Sequence, residues 1–97
     1  YEAFEAAHAA PVPVSIRLNP AKPAAGAPAG EAVPWCEAGR YLAARPVFTL
    51  EPLFNAGGYY VQEASSMLLA PALPPGHAPL RALDLCAAPG GKATLLA

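Results

Sequence analysis

Apolar and polar positions alternate most clearly over Val14-Ser15-Ile16-Arg17-Leu18, which predicts a half-buried strand. Upstream, Tyr1, Phe4 and His8 recur near one face of a 3.6-residue period, so the first ten residues predict a helix that Pro11 and Pro13 end. Asn19-Pro20 stops the strand. Residues 20–34, rich in Pro, Ala and Gly, are expected to form a connection, with a short helix near Lys22. Ordered structure should resume at Val33-Pro34-Trp35, with short extended arms at residues 40–42 and 47–50. Gly57-Gly58 predicts a turn, and Tyr59-Tyr60-Val61-Gln62, aromatic and β-branched, a further strand. Residues 63–72 are expected to be helical, with Ser65 or Ser66 near the start, until Pro74-Pro75-Gly76 closes the element. The last segment alternates again over residues 80–86, runs into the tight loop 87–91, and opens a helix at 92–97. A boundary at 73–79 would divide an N-terminal part, 1–75, from a second unit that begins at 76–97.

Composition changes this picture in one respect. Apolar residues make up 55% of the 97, but much of that is alanine, which buries little area, and thirteen prolines preclude long helices. Some of the apolar surface is therefore expected to meet a partner or the rest of a longer chain. The net charge of −1 and the scattering of Arg17, Lys22, Arg40, Arg45, Arg81 and Lys92 leave no basic footprint of the kind nucleic-acid binders show. Cys36 and Cys86 lie fifty residues apart with no histidine beside either, which argues against a metal site and a disulfide framework. No apolar run is long enough for a membrane span. These features predict a soluble, cytoplasmic protein without a metal.

The chemistry concentrates in the strand–loop–helix unit at the end. Gly90 and Gly91 permit close backbone approach to a ligand, and free N–H groups after the loop attract an anion. Asp84 could accept from an ammonium group, and Lys92 could pair with a carboxylate. A phosphate-cradling loop needs Gly-x-x-x-x-Gly-Lys-Ser/Thr. Here the first glycine position is Cys86 and Ala93 follows Lys92, so that reading fails at both ends. The dinucleotide fingerprint Gly-x-Gly-x-x-Gly is absent as well. A plain strand-to-helix connection that simply needs glycines stays open on these grounds.

The string Leu83-Asp84-Leu85-Cys86-Ala87-Ala88-Pro89-Gly90-Gly91-Lys92-Ala93-Thr94 resembles the S-adenosyl-L-methionine-binding motif of the NOL1/NOP2/Sun family of RNA cytosine-5 methyltransferases. Ser15-Ile16-Arg17-Leu18-Asn19-Pro20 is similar to the family's N-terminal strand. Gly58-Tyr59-Tyr60-Val61-Gln62-Glu63-Ala64-Ser65-Ser66-Met67 is similar to the stretch before its catalytic domain. The resemblance spans residues 15–94, in family order. Without a preceding NusB-like helical domain, the chain is nearest to the bacterial small-subunit rRNA members.

The resemblance implies an α/β protein: a small α+β N-terminal domain over 1–75, then the start of a Rossmann-like methyltransferase domain at 76–97. It implies methylation of cytosine C5 in RNA, most simply rRNA, with Cys86, Ala87, Ala88, Pro89, Gly90, Gly91 and Lys92 holding the cofactor. Gln62, Ser65 and Ser66 would stand near the active site, unless the serines merely cap a helix. C5 methylation needs a thiolate that adds at C6. In the family that cysteine, and a second one for product release, lie beyond residue 97, so no catalytic residue is expected in this chain. A non-catalytic RNA-docking or accessory module is the alternative, and salt-dependent RNA binding would mark it. A partly folded, inactive segment is the third reading, marked by dye binding at an unpaired strand 80–86.

Overall fold

The computed structural model describes residues 1–23, 25–73 and 81–97. Its centre is one antiparallel sheet in the order β2-β3-β1-β4, with β1 at Val14–Leu18, β2 at Glu31–Val33, β3 at Cys36–Leu42 and β4 at Tyr59–Val61. β1 lies inside the sheet. Ile16 faces Arg40 on one side and Val61 on the other, and Arg17 faces Gly39 and Tyr60. Alternate residues of a strand point to opposite faces. Val14, Ile16 and Leu18 therefore share one face, and Ser15 and Arg17 share the other.

The apolar face carries the main core. Ile16 is completely buried against Phe48 and Tyr59, with Val14, Leu18, Leu42, Leu53, Phe54 and Val61 packed around them. Phe48, Phe54 and Tyr59 stand 5.7–6.2 Å apart between ring centroids, a spacing at which tilted and edge-on rings attract. The rings are delivered by the 3-10 turn Phe48–Leu50 and by α2, Pro52–Asn55, which Pro52 starts because its missing N–H costs nothing there.

The opposite face is covered too. A 3-10 segment, Ala64–Leu68, runs directly into α3, Leu69–Ala72. Met67 in this segment is fully buried with Val33, Cys36 and Ala64. It can come this close because residue 39 is glycine: a Cβ there would lie 2.7 Å from Val33 Cβ and 2.9 Å from Met67 Sδ. The Trp35 indole N–H donates to the Ala64 carbonyl at 2.7 Å and ties β3 to the same segment.

Several expectations need correction. Residues 47–50 form a 3-10 turn, not an extended arm, because Phe48 has to bend inward to reach Ile16. The connection 20–34 contains a strand, β2, which the Pro/Gly composition hid, and Lys22 lies in a turn and bend rather than a helix. The segment 63–72 is helical, but its first half is 3-10, and its serines make no capping bond. Helix α1, Glu2–Ala9, forms as expected, yet none of it is buried; Phe4 and His8 pack edge-on with each other at 4.6 Å instead of on the sheet. The half-buried reading of Val14–Leu18 is also wrong: polar Ser15 and Arg17 are as buried as Ile16.

The largest correction concerns residues 80–86. Residue 80 and the punctuating 74–76 lie outside the described residues, as do residues 74–79 of the expected boundary. Residues 81–86 make no strand, and Leu83 and Leu85 are 84% and 86% exposed. A strand with this apolar content belongs between neighbours that cover both of its faces. Among the described residues the only sheet is the antiparallel one, and 81–86 do not join it. What is observed is thus a small α+β unit; no described residue begins a parallel methyltransferase sheet.

Two outcomes are expected. Ile16→Ala should cost about 2–5 kcal/mol in urea unfolding of this chain, whereas Leu83→Ala should change stability by no more than about 0.5 kcal/mol. A large cost at Leu83 would mean that 81–86 pack in solution. The second concerns Tyr59, whose buried hydroxyl has no hydrogen-bond partner among the described residues. Burial first, and then the Glu51 carboxylate, push its pKa up. The folded chain therefore holds this proton more tightly than the unfolded chain. The resulting stability is whole below about pH 10 and is lost as pH rises through the raised value. Tyr59→Phe should remove that part of the alkaline loss, and at pH 7 should be neutral or stabilising by roughly 1 kcal/mol, because an unpaired buried hydroxyl is removed.

Candidate functional site

The polar face of β1 and β4 leads directly to the loop that the sequence singles out. Ser15 Oγ donates to the Gln62 carbonyl at 2.6 Å, and the Gln62 N–H donates back to the Ser15 carbonyl at 3.2 Å, which extends the β1–β4 ladder and holds Gln62 upright on this face. Arg17, only 8% exposed, reaches across it. Its Nε donates to Gln62 Oε1 at 2.8 Å, and its Nη2 donates to Thr94 Oγ1 at 2.6 Å and, more weakly, to the Gly91 carbonyl at 3.5 Å. Nη1 donates to the Thr94 carbonyl at 3.3 Å. Gln62 Nε2 also donates to the Gly91 carbonyl, at 3.1 Å, and Tyr60 OH donates to the Pro89 carbonyl at 3.0 Å. Three adjacent side chains on two paired strands thus hold the carbonyls of residues 89, 91 and 94.

Burial pushes the Arg17 guanidinium below its ordinary pKa, with Cys36 and Tyr60 acting in the other direction. Every acceptor it uses is a neutral oxygen. A guanidinium stays charged under all ordinary conditions, so these dipoles take the place of a counter-ion. Its planar fork is suited to the task because the donors diverge at fixed angles.

The loop itself turns on Gly90, whose φ of +107° lies where L side chains are strained. The space beside it is open, the nearest atom to a Cβ being Thr94 Cγ2 at 4.0 Å, so the requirement there is conformational rather than steric. Thr94 Oγ1 and the Thr94 N–H both bond the Gly90 carbonyl, at 2.7 and 2.9 Å, and start α4, Ala93–Leu96. Among the described residues the N–H groups of Gly90, Gly91 and Lys92 donate to nothing.

Between this loop and β4 lies a cleft of about 200 Å³, lined by Tyr60, Val61, Gln62, Glu63 and Ser66 on one wall and by Cys86, Ala87, Ala88, Pro89, Gly91 and Lys92 on the other. Six of the seven expected cofactor residues line it, and Gly90 is the pivot behind them. Gln62 and Ser66 come to it as the sequence predicts. Ser65 does not; its hydroxyl bonds Glu63 Oε2 at 3.3 Å. Asp84 does not line the cleft either. One carboxylate oxygen accepts from the Cys86 N–H at 3.0 Å, and the other is buried without a partner among the described residues. A larger concavity of about 610 Å³ opens beyond Arg17 around Leu18, Tyr59 and Leu95. Its one charged side chain is Arg17, already engaged, so the smaller cleft is the better place for a charged ligand.

Sequence reasoning missed Arg17 and Tyr60. The available signal was an arginine opposite an otherwise apolar strand pattern, which alternation alone assigns to solvent. Both cysteines are free, Cys36 buried and Cys86 exposed. Among the described residues no cluster of three or more His, Cys, Asp or Glu could hold a metal, and no helix is long and apolar enough to cross a membrane. A thiol reagent should therefore modify Cys86 in the folded chain at least about tenfold faster than Cys36, and Cys86→Ser should abolish the fast phase. Comparable rates at the two thiols would contradict this arrangement.

The family described as the N-terminal domain of 16S rRNA methyltransferase RsmF matches residues 1–64, which contain the whole sheet, Arg17 and Gln62. Ribosomal RNA small subunit methyltransferase F of Escherichia coli O1:K1 / APEC is 40% identical over 113 residues, covering 100% of this chain and 23% of that protein. The protein of the same name from Shigella dysenteriae serotype 1 (strain Sd197) has the same identity and coverage. The chain thus spans less than a quarter of the length of these curated relatives. No solved structure matches it. The match over residues 1–64, with 40% identity to the relatives over the whole chain, identifies the chain as a member of the RsmF N-terminal domain family, within the NOL1/NOP2/Sun RNA methyltransferases.

Proposed function

We propose that the protein carrying this chain methylates C5 of cytosine in ribosomal RNA with S-adenosyl-L-methionine, and that residues 86–92 hold the cofactor's amino-acid end. The observation that carries this reading is the cleft. Lys92 and the loop line one wall and Glu63 the other, so the space offers an ammonium and a carboxylate to a zwitterionic amino-acid group. The Lys92 ammonium and the Gly91 N–H would take the carboxylate. Helix α4 has four residues and adds little dipole, so the loop amides carry the anion.

The fit is partial in an informative way. About 200 Å³ is below the usual size of a site for a drug-sized ligand. The cleft suits one end of the cofactor, and the adenosine end would need walls outside the described residues. The same reasoning applies to residues 76–97 as the opening of a Rossmann-like domain. The exposed Leu83 and Leu85 would be buried once parallel neighbours flanked that segment.

When bound, the cofactor supplies an electrophilic methyl group. This chain's residues bind and orient it; none is placed as the C6 nucleophile. Cys36 is buried among Val33, Ala64 and Met67, and Cys86 belongs to the loop. The rRNA substrate follows from what the relatives are named for, not from charge, since the net charge of −1 gives no electrostatic attraction to RNA. A ribosomal RNA substrate implies a cytoplasmic location.

In the complete protein, Gly90→Val should weaken S-adenosyl-L-methionine binding by about a hundredfold or more by calorimetry while the fold survives, because a β-branched residue is strained at φ near +107°. Lys92→Ala should cost less, about tenfold or below, since one exposed charge is lost while the amides remain. Unchanged affinity in Gly90→Val would sink the assignment of the loop.

A further inference from the structure

The loop's conformation is not self-sufficient. Within the loop, Thr94 bonds the Gly90 carbonyl, but the carbonyls of Pro89, Gly91 and Thr94 are all held from outside, by Tyr60, Gln62 and Arg17. These three belong to the N-terminal sheet, and Arg17 and Tyr60 are direct partners in the β1–β4 register. Pinning the Pro89 and Gly91 carbonyls therefore fixes the peptide planes on either side of Gly90–Gly91. Pro89, Gly91 and Lys92 line the cleft, and so do Tyr60 and Gln62 of the clamp. Gly91 is also packed close against this clamp: a Cβ on it would meet Gln62 Nε2 and Tyr60 Cε1, each at 3.4 Å.

We propose that Arg17, Gln62 and Tyr60 are positioning residues, a clamp by which the N-terminal sheet fixes the conformation of the loop that lines the cleft for the cofactor's amino-acid end. This rests on the reading of 86–92 as the cofactor loop. The N-terminal domain is then part of the cofactor site's construction, through residues that do not touch the ligand's reacting atoms. Arg17 is buried because its work is internal.

The test uses the complete protein and two probes: S-adenosyl-L-methionine, and 5′-methylthioadenosine, which has the adenosine end but no amino-acid end. Arg17→Lys keeps the charge but loses the fork. Tyr60→Phe removes one hydroxyl from a partly exposed ring and leaves the core alone. Arg17→Lys should weaken the first probe about tenfold, and Tyr60→Phe about two- to fivefold, as expected for lost hydrogen bonds that orient a charged contact. Binding of 5′-methylthioadenosine should change by less than about twofold in both. A merely structural role predicts otherwise: fewer binding-competent molecules, or equal losses for the two probes. Equal losses, or none, in Tyr60→Phe and Arg17→Lys would overturn the clamp. If wild-type protein binds the cofactor and Gly90→Val does not, yet both clamp variants bind as wild type, the clamp falls and the loop assignment stands. If Gly90→Val also binds normally, both fall.

Discussion

The polar network on the second face of the sheet depends on one buried guanidinium, that of Arg17. A buried charge is tolerated only when its donors are satisfied, and Arg17 finds its acceptors in Gln62 and in the backbone and side chain of residues 91–94. That requirement brings the end of the chain back onto the first strand, across more than seventy residues of sequence. The same bonds satisfy loop carbonyls that have no helix or sheet of their own. The sheet and the loop are thereby one polar network, and either would be left with unpaired groups without the other.

The two faces of β1 divide the labour. Val14, Ile16 and Leu18 supply the cohesive face, where aromatic rings from the 3-10 turn Phe48–Leu50, α2 and β4 gather round Ile16. Ser15 and Arg17 supply the specifying face, where hydrogen bonds rather than area decide geometry. Apolar burial is non-directional and tolerates small shifts. A forked donor set with four named acceptors does not. It is reasonable physics that the face with directional contacts is the one that meets the candidate ligand loop.

The unit is small and leaves apolar surface uncovered. Leu83, Leu85 and Leu50 are exposed, and α1 buries nothing. The chain spans 23% of the length of its curated relatives. The core around Ile16 and Met67 lies within or beside the 1–64 match, and the exposed leucines at 83 and 85 lie outside it.

What the sequence by itself determined was local. The period-two pattern of Val14–Leu18, the aromatic strand Tyr59–Val61, the proline stops and the glycine pivot of the 86–92 loop are properties of a few consecutive residues, and the structure has them where the pattern puts them. The loop string, with the stretches 15–20 and 58–67, pointed to the family, which the family match over residues 1–64 then showed. Only the tertiary structure decided what is non-local. It buried Ser15 and Arg17, which alternation assigns to solvent. It turned residues 47–50 into a 3-10 turn for the sake of Ile16, and left 81–86 unpaired for want of strand neighbours. The reason is common to all three. Periodicity reports which residues share a face, but what lies over that face is set by segments far away in the chain, and no local pattern records their arrival.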